Sequence, residues 1–419
     1  MLAFGRDTAR FMRENARWLA GGFLLTLFSS FGQTFFVGLS GKDLRATFHL
    51  SAGTFGALYM LANIGSALSL PWLGRTLDLM PGWKVVRFTM PALAAACVLV
   101  AIAPNLVMLT LALFLLRLFG QGMMTETAYT EIGRWFVANR GRAMALIVPG
   151  QQAGVAVLPI LVVLIDRVSS SWRAAWFASA ALVLLVGLPA IITLMKIERV
   201  RRSSEAKARG ARTARDWTRS EVIRDPILYL LLAGILAPPF ISTIIFFHQD
   251  YLVSLRGYDR LAFAAAFPLM SVTTVVFGLV CGHLIDRLGS LRLLPYVLVP
   301  LAVASAAVGL ITPVWGVYVF MFLLGISSGF TSTLLGALWP EVYGLANLGG
   351  IRAIIVSAIV LSTALGPGIS GELIDRGVAL PTQMLWLSGW CVAACFVLAF
   401  AAWRVRLRQE RVLRYSEGL

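Results

Sequence analysis

The sequence predicts an all-α membrane protein, with twelve transmembrane helices arranged as two pseudo-symmetric six-helix bundles. Three observations lead there. Of 419 residues, 58% are hydrophobic and only 13% charged, and the mean hydropathy is +0.81, far from the balance of a water-soluble domain. A hydrocarbon core of roughly 30 Å takes about 20 apolar residues per crossing, and twelve such runs occur between short polar breaks. Finally, landmarks of the first half return in the second at a nearly constant offset.

In chain order the runs lie near 19–38, 54–73, 87–104, 107–129, 143–165, 174–195, 227–249, 261–281, 293–311, 315–338, 352–371 and 382–402. The leading MLAFGRDTARFMRENARW is too long and too charged for the front of a signal peptide, and no small-residue cleavage site follows the first run. That run is therefore expected to stay in the product. The fourth run carries an arginine, Arg117, near its centre, and the seventh carries Pro238-Pro239, which should kink it. Cys97, Cys281, Cys391 and Cys395 fall inside or at the ends of apolar runs, so they are expected to be packing residues rather than disulfide or zinc ligands.

The net charge of +16 would suggest nucleic acid in a soluble chain. Here its placement gives orientation instead. With the amino terminus inside, 28 of the 36 Lys and Arg residues fall in inside segments, as the positive-inside rule requires. The expected location is the cytoplasmic membrane, multi-pass, with both termini cytoplasmic. The domains read as a six-helix bundle over 1–195, a basic cytoplasmic linker over 196–226 with ten Lys or Arg, a second six-helix bundle over 227–402, and a basic cytoplasmic tail over 403–419.

The pentapeptide at 74–78 reads GRTLD and that at 282–286 reads GHLID, so Asp78 and Asp286 stand 208 apart. Arg142 and Arg352 stand 210 apart, Pro159 and Pro367 208, and Asp166 and Asp375 209. One offset shared by four landmarks indicates duplication of a six-helix unit.

With Lys84 following the first copy and Arg287-x-Gly289 the second, these loops resemble the signature of the major facilitator superfamily. The first copy departs from it at Met80-Pro81 and Trp83. The stretches Arg117-Leu-Phe-Gly-Gln-Gly122, Arg134 to Ala143, Trp339-Pro-Glu-Val-Tyr-Gly344 and Leu348-Gly-Gly-Ile-Arg352 are similar to those of bacterial monocarboxylate and oxalate/formate carriers. The resemblance implies a secondary transporter working by alternating access, with a small organic anion as its substrate, and with protons and the bilayer as its other partners. Proton-coupled efflux of drugs or other amphiphiles is the alternative. No metal cluster, phosphate loop or nucleophile motif supports catalysis, so no enzyme, no cofactor and no metal is expected. No nucleic-acid partner is expected either, and a monomer is.

An ionisable group at mid-membrane is expensive and therefore a functional hypothesis. Two readings of Arg117 stay open: its guanidinium binds a substrate carboxylate, or it bonds backbone carbonyls of the first helix, as the resemblance suggests. The family's cavity helices (1, 4, 7 and 10) add Gln33, Thr34, Gln121, Thr125, Ser242, Thr243, Ser327, Ser328 and Thr331, with Tyr59, Gln151 and Gln152 as similar candidates nearby. For each Ser or Thr, bonding to its own backbone is the competing reading. Proton coupling would fall to Glu126, then to His248 with Asp250. In the family's fold helix 2 faces helix 11 and helix 8 faces helix 5, so the resemblance implies inner gating by Asp78 with Arg352 and Asp286 with Arg142, each Asp docking on a helix amino terminus, and Glu341 is a further gate candidate.

Overall fold

The computed structural model describes residues 2–136, 139–197, 217–344 and 347–417. These are helical, with no strand among them. Eleven described helices are long and apolar enough to cross a membrane: α1 (Arg10–Gly38), α3 (Gly82–Ile102), α4 (Leu106–Trp135), α5 (Gly141–Ser169), α6 (Trp172–Met195), α7 (Pro226–Phe247), α8 (Arg260–Leu288), α9 (Ser290–Leu310), α10 (Trp315–Tyr343), α11 (Gly350–Asp375) and α12, whose span runs Leu380–Glu410. The remaining expected crossing is α2 (Ala52–Gly74), a continuous 23-residue helix. Tyr59, Asn63, Ser66 and Ser69 dilute its hydropathy. Three of these polar residues, Tyr59, Asn63 and Ser66, are buried, so α2 carries polar groups inward rather than toward lipid. The basic centre of the linker, 198–216, lies outside the described residues.

Two units emerge from the contacts within the chain. The first comprises Met1–Leu50 and Leu58–Gly210, the second Ser51–Ala57 and Ala211–Leu419. Within the first, α3 packs on α4 and α6, and α1 packs on α5 and α6. Within the second, α9 packs on α10 and α12, and α7 packs on α11 and α12. Each pair in one unit is the other's pair shifted by six helices, which is how a duplicated sequence folds when each copy buries the same faces. Large apolar side chains such as Leu185, Leu279 and Phe396 are about three-quarters exposed at 75%, 70% and 73%. Water would not tolerate so many, and lipid does.

Pro238 and Pro239 divide α7 at Leu236, whose carbonyl receives both Phe240 N at 3.1 Å and the Ser362 hydroxyl at 3.0 Å. Gly150 and Gly154 close α5 onto α1. A Cβ at Gly150 would strike the Phe23 carbonyl, and one at Gly154 the Ser30 hydroxyl. Small residues here replace the hydrophobic drive that lipid removes. Gly150→Val should therefore lower stability by about 1–3 kcal/mol, read as a fall in the thermal unfolding midpoint of the detergent-solubilised protein; an unchanged midpoint would contradict this packing.

Candidate functional site

The site is built on two irregularities in facing helices. In α1, residues Ser29–Gly32 tighten into a 3₁₀ turn and Gln33 is extended, with φ −83° and ψ 153°. Phe36 N consequently bonds Gln33 O rather than Gly32 O, which leaves the Gly32 carbonyl to seek another donor. In α4, Leu116–Met124 is π-helical, a widened turn that costs regular hydrogen bonding and is found chiefly at functional positions. The two irregular stretches touch through Gly32 and Gly120, where a Cβ on either residue would collide with the other's backbone.

Arg117 emerges from the π-helical stretch and is 4% exposed. Its Nε donates to Asn63 Oδ1 at 2.9 Å, and its Nη1 to Gly32 O at 3.2 Å and to Thr34 Oγ1 at 3.4 Å. The guanidinium carbon lies 5.5 Å from the centre of the Tyr59 ring, and Tyr59 Oη and Thr34 Oγ1 are 2.8 Å apart. Arg117 has no acidic partner among the described residues. Its charge is met by dipoles and a π face alone, and Nη2 takes part in none of these bonds. The backbone-carbonyl reading of Arg117 is thus seen directly, through Gly32, and part of the guanidinium is left over for a ligand.

Of the other expected cavity residues, Thr34 and Tyr59 join this cluster. Gln33 stands half-buried at the α1 break. Gln121 Oε1, Thr125 Oγ1 and Gln152 Oε1 are buried without hydrogen-bond partners among the described residues. In the second unit Ser327 and Thr331 likewise present buried, unpartnered hydroxyls on α10. Ser242 and Thr243 instead donate to Pro239 O, one turn earlier in their own helix, as Ser and Thr in membrane helices commonly do.

The three titratable candidates separate clearly. His248 is 3% exposed, with Nε2 at 3.0 Å from Pro367 O. Asp250 is 6% exposed, with Oδ1 at 3.8 Å from Arg260 Nε. Glu126 is exposed and has no hydrogen-bond or ion-pair partner among the described residues.

At the end of α2, Asp78 Oδ1 accepts from Arg134 Nη2 at 3.0 Å, while Arg134 Nη1 serves both Leu77 O and Glu131 Oε1, the latter at 3.2 Å. Glu341 plays a matching part in the second unit: its carboxylate takes the Ser290 backbone N–H at 3.2 Å and the Ser290 hydroxyl, closing the amino terminus of α9. Glu131 stands 210 positions before Glu341, and its side chain packs on Gly82, the first residue of α3. That repeat was present in the sequence and was missed, as were Arg134 and Asn63. Arg352 Nη2 donates to Gly336 O at 3.1 Å, Arg142 lies 5.6 Å over the Phe11 ring, and Asp286 is exposed at the end of α8.

The sequence profile of the Major Facilitator Superfamily matches residues 22–367, and the chain belongs to that family of transporters. Among curated proteins it is similar to the agnestins efflux protein AgnL12 of Paecilomyces divaricatus, 23% identical over 266 residues. That match covers 61% of this chain and 57% of that protein, a little over half of each. Among solved structures it resembles a bacterial homologue of the human lysosomal transporter Spinster in an inward-facing, unoccupied conformation. There the TM-score is 0.71 and the identity 14%, over 94% of this chain and 98% of that one. The nucleoside transporter NupG gives a TM-score of 0.71 at 13% identity, over 92% and 99% of the two chains. At these identities the structures speak to fold.

Replacing Asn63 with Leu strands the buried Arg117 Nε, and an unmet buried donor costs about 1–3 kcal/mol. Asn63→Leu should therefore lower the thermal midpoint clearly more than Ser69→Ala on the same helix; equal midpoints would show that the Arg117–Asn63 bond contributes nothing.

Proposed function

We propose that the protein is a secondary active transporter for a small organic anion, a monocarboxylate in the first instance, with Arg117 as its anion-binding group. The observation that carries this reading is a guanidinium 4% exposed, within a membrane helix, with no carboxylate partner among the described residues. An unneutralised charge in that setting is costly, and an arriving carboxylate relieves the cost through the uncommitted Nη2 edge. Gln33, Gln121 and Thr125 supply further polar groups within the first unit, Ser327 and Thr331 are the candidates of the second, and the bilayer is the working environment.

We propose further that Glu126 couples transport to protons, since an exposed carboxylate in a spanning helix with no fixed partner is free to load and unload. Asp78 with Arg352 and Asp286 with Arg142 are the inner latch we propose for the outward-opening state, Arg134 holding Asp78 otherwise. An exposed pair is worth only about 0–1 kcal/mol, sufficient to bias two conformers of nearly equal energy. Both termini and the linker lie on the cytoplasmic side of the cytoplasmic membrane in this reading, and the chain acts as a monomer. The efflux function named for the Paecilomyces relative favours a second reading, export of amphiphilic compounds.

Two experiments decide between them. In a thermal-shift screen of the purified protein, small carboxylates should raise the midpoint, and the rise should vanish in Arg117→Ala and shrink in Arg117→Lys; stabilisation by cationic amphiphiles that survives Arg117→Ala selects the export reading. In proteoliposomes, Glu126→Gln should retain substrate exchange while losing accumulation driven by a pH gradient. A mutant that still accumulates substrate would assign coupling elsewhere, with His248 and Asp250 next in line.

A further inference from the structure

The helix α12 does not stop at the bilayer. It continues unbroken from Leu380 to Glu417, 38 residues, which at 1.5 Å per residue is about 57 Å, nearly twice the hydrocarbon thickness. A helix carrying Arg404, Arg406 and Arg408 beyond its apolar part would ordinarily be a solvated appendage. Instead Arg406, Arg408 and Gln409 are committed to the inner end of the second unit. Arg406 Nη2 donates to Leu291 O at 3.1 Å, and Gln409 Nε2 to Glu341 O at 3.1 Å.

Arg408 is the centre of this surface. Its Nη1 meets Asp225 Oδ2 at 2.8 Å, with the Asp225 side chain 7% exposed and that of Arg408 25%. Its Nη2 donates to Val342 O at 3.3 Å. Its guanidinium carbon lies 4.4 Å over the Trp217 ring and 5.8 Å from that of Tyr343, and Trp is the strongest of the aromatic partners for such a cation. Trp217 is the first described residue after 198–216, and it is held at both its backbone and its ring. Its N–H donates to Tyr343 O at 3.0 Å, its carbonyl accepts from Asn347 Nδ2 at 2.9 Å, and its ring meets Tyr343 edge-on at 5.6 Å. Asp225, for its part, caps α7 by accepting Ile227 N at 3.1 Å. Between Trp217 and Asp225 the chain forms one short helix, Arg219–Arg224, closed by a reciprocal Thr218–Glu221 capping box and packed against α11.

We infer that Arg408 pins a clamp in which the extension of α12 is the docking surface for the linker's carboxyl end. One side chain joins three segments that are distant in sequence: the linker's end with the start of α7, the end of α10 and the tail. The clamp makes the inner ends of α7 and α10 one body with the linker, so that a displacement of the tail is a displacement of both helices. It rests on the packing of the second unit and stands whatever the substrate is.

The test uses the full-length protein carrying Val222→Cys and Cys395→Ser. Val222 is fully buried in the clamped short helix, as are Cys97, Cys281 and Cys391 in theirs, so maleimide labelling reports release of that helix. With the clamp closed, labelling is slow. Arg408→Ala and Asp225→Asn are each expected to raise the labelling rate at least tenfold, and Arg408→Lys, which retains charge but not the fork and the stack, to give an intermediate rate. Labelling of folded Arg408→Ala as slow as in the parent overturns the inference. Should Arg408→Ala fail to fold, Trp217→Ala removes only the linker's share of the clamp and carries the same expectation, and slow labelling there overturns it equally.

Discussion

The constraint on which the rest depends is the charge of Arg117 inside a membrane helix. It can be kept there only by a dense set of acceptors, and regular helices offer few, because each of their carbonyls already accepts one bond. The chain meets this need by breaking α1 at Gln33, which frees the Gly32 carbonyl, and by placing Asn63 on α2, the least apolar of the crossings. The π-helical widening of α4 and the absence of side chains at Gly32 and Gly120 bring the two irregular backbones into contact. These features belong to one solution, and none has an evident reason without the others.

A second level of order is the repeat. The carboxylates Glu131 and Glu341 sit at equivalent inner ends of α4 and α10 and attend the starts of α3 and α9. The two units are not copies in detail, however. The first sets Arg134 between Asp78 and Glu131, whereas the second engages Glu341 with Ser290 and hands its backbone carbonyl to Gln409 of the tail. The shared offset preserves the architecture, and the differing neighbours decide which unit holds its signature loop by charge and which by capping.

Much of the fold was legible in the sequence because bilayer insertion is read locally: a run of apolar residues specifies a crossing with no knowledge of its partners. α2 shows the limit of that reading. It was expected as a crossing and forms a continuous helix, yet its buried polar residues make it the weakest apolar signal, and those residues proved to serve the site. The candidate site was legible in part. Arg117, Thr34 and Tyr59 stood out as polar groups in apolar runs, while Asn63, an equal member of the cluster, did not. Ser242 and Thr243 stood out too and are bonded to Pro239 O in their own helix.

By itself the sequence determined the dozen apolar runs, their duplication at an offset near 208 and the concentration of positive charge on one side, since each follows from composition and spacing along the chain. Only the tertiary structure decided that Arg117 finds Gly32 and Asn63 but no acid, that Asp78 finds Arg134, and that the tail's Arg408 finds Trp217 and Asp225. These partners lie from 54 to 191 residues apart. Such pairings depend on which helix faces meet, and hydrophobicity, being non-directional, fixes that a helix is buried without fixing against what.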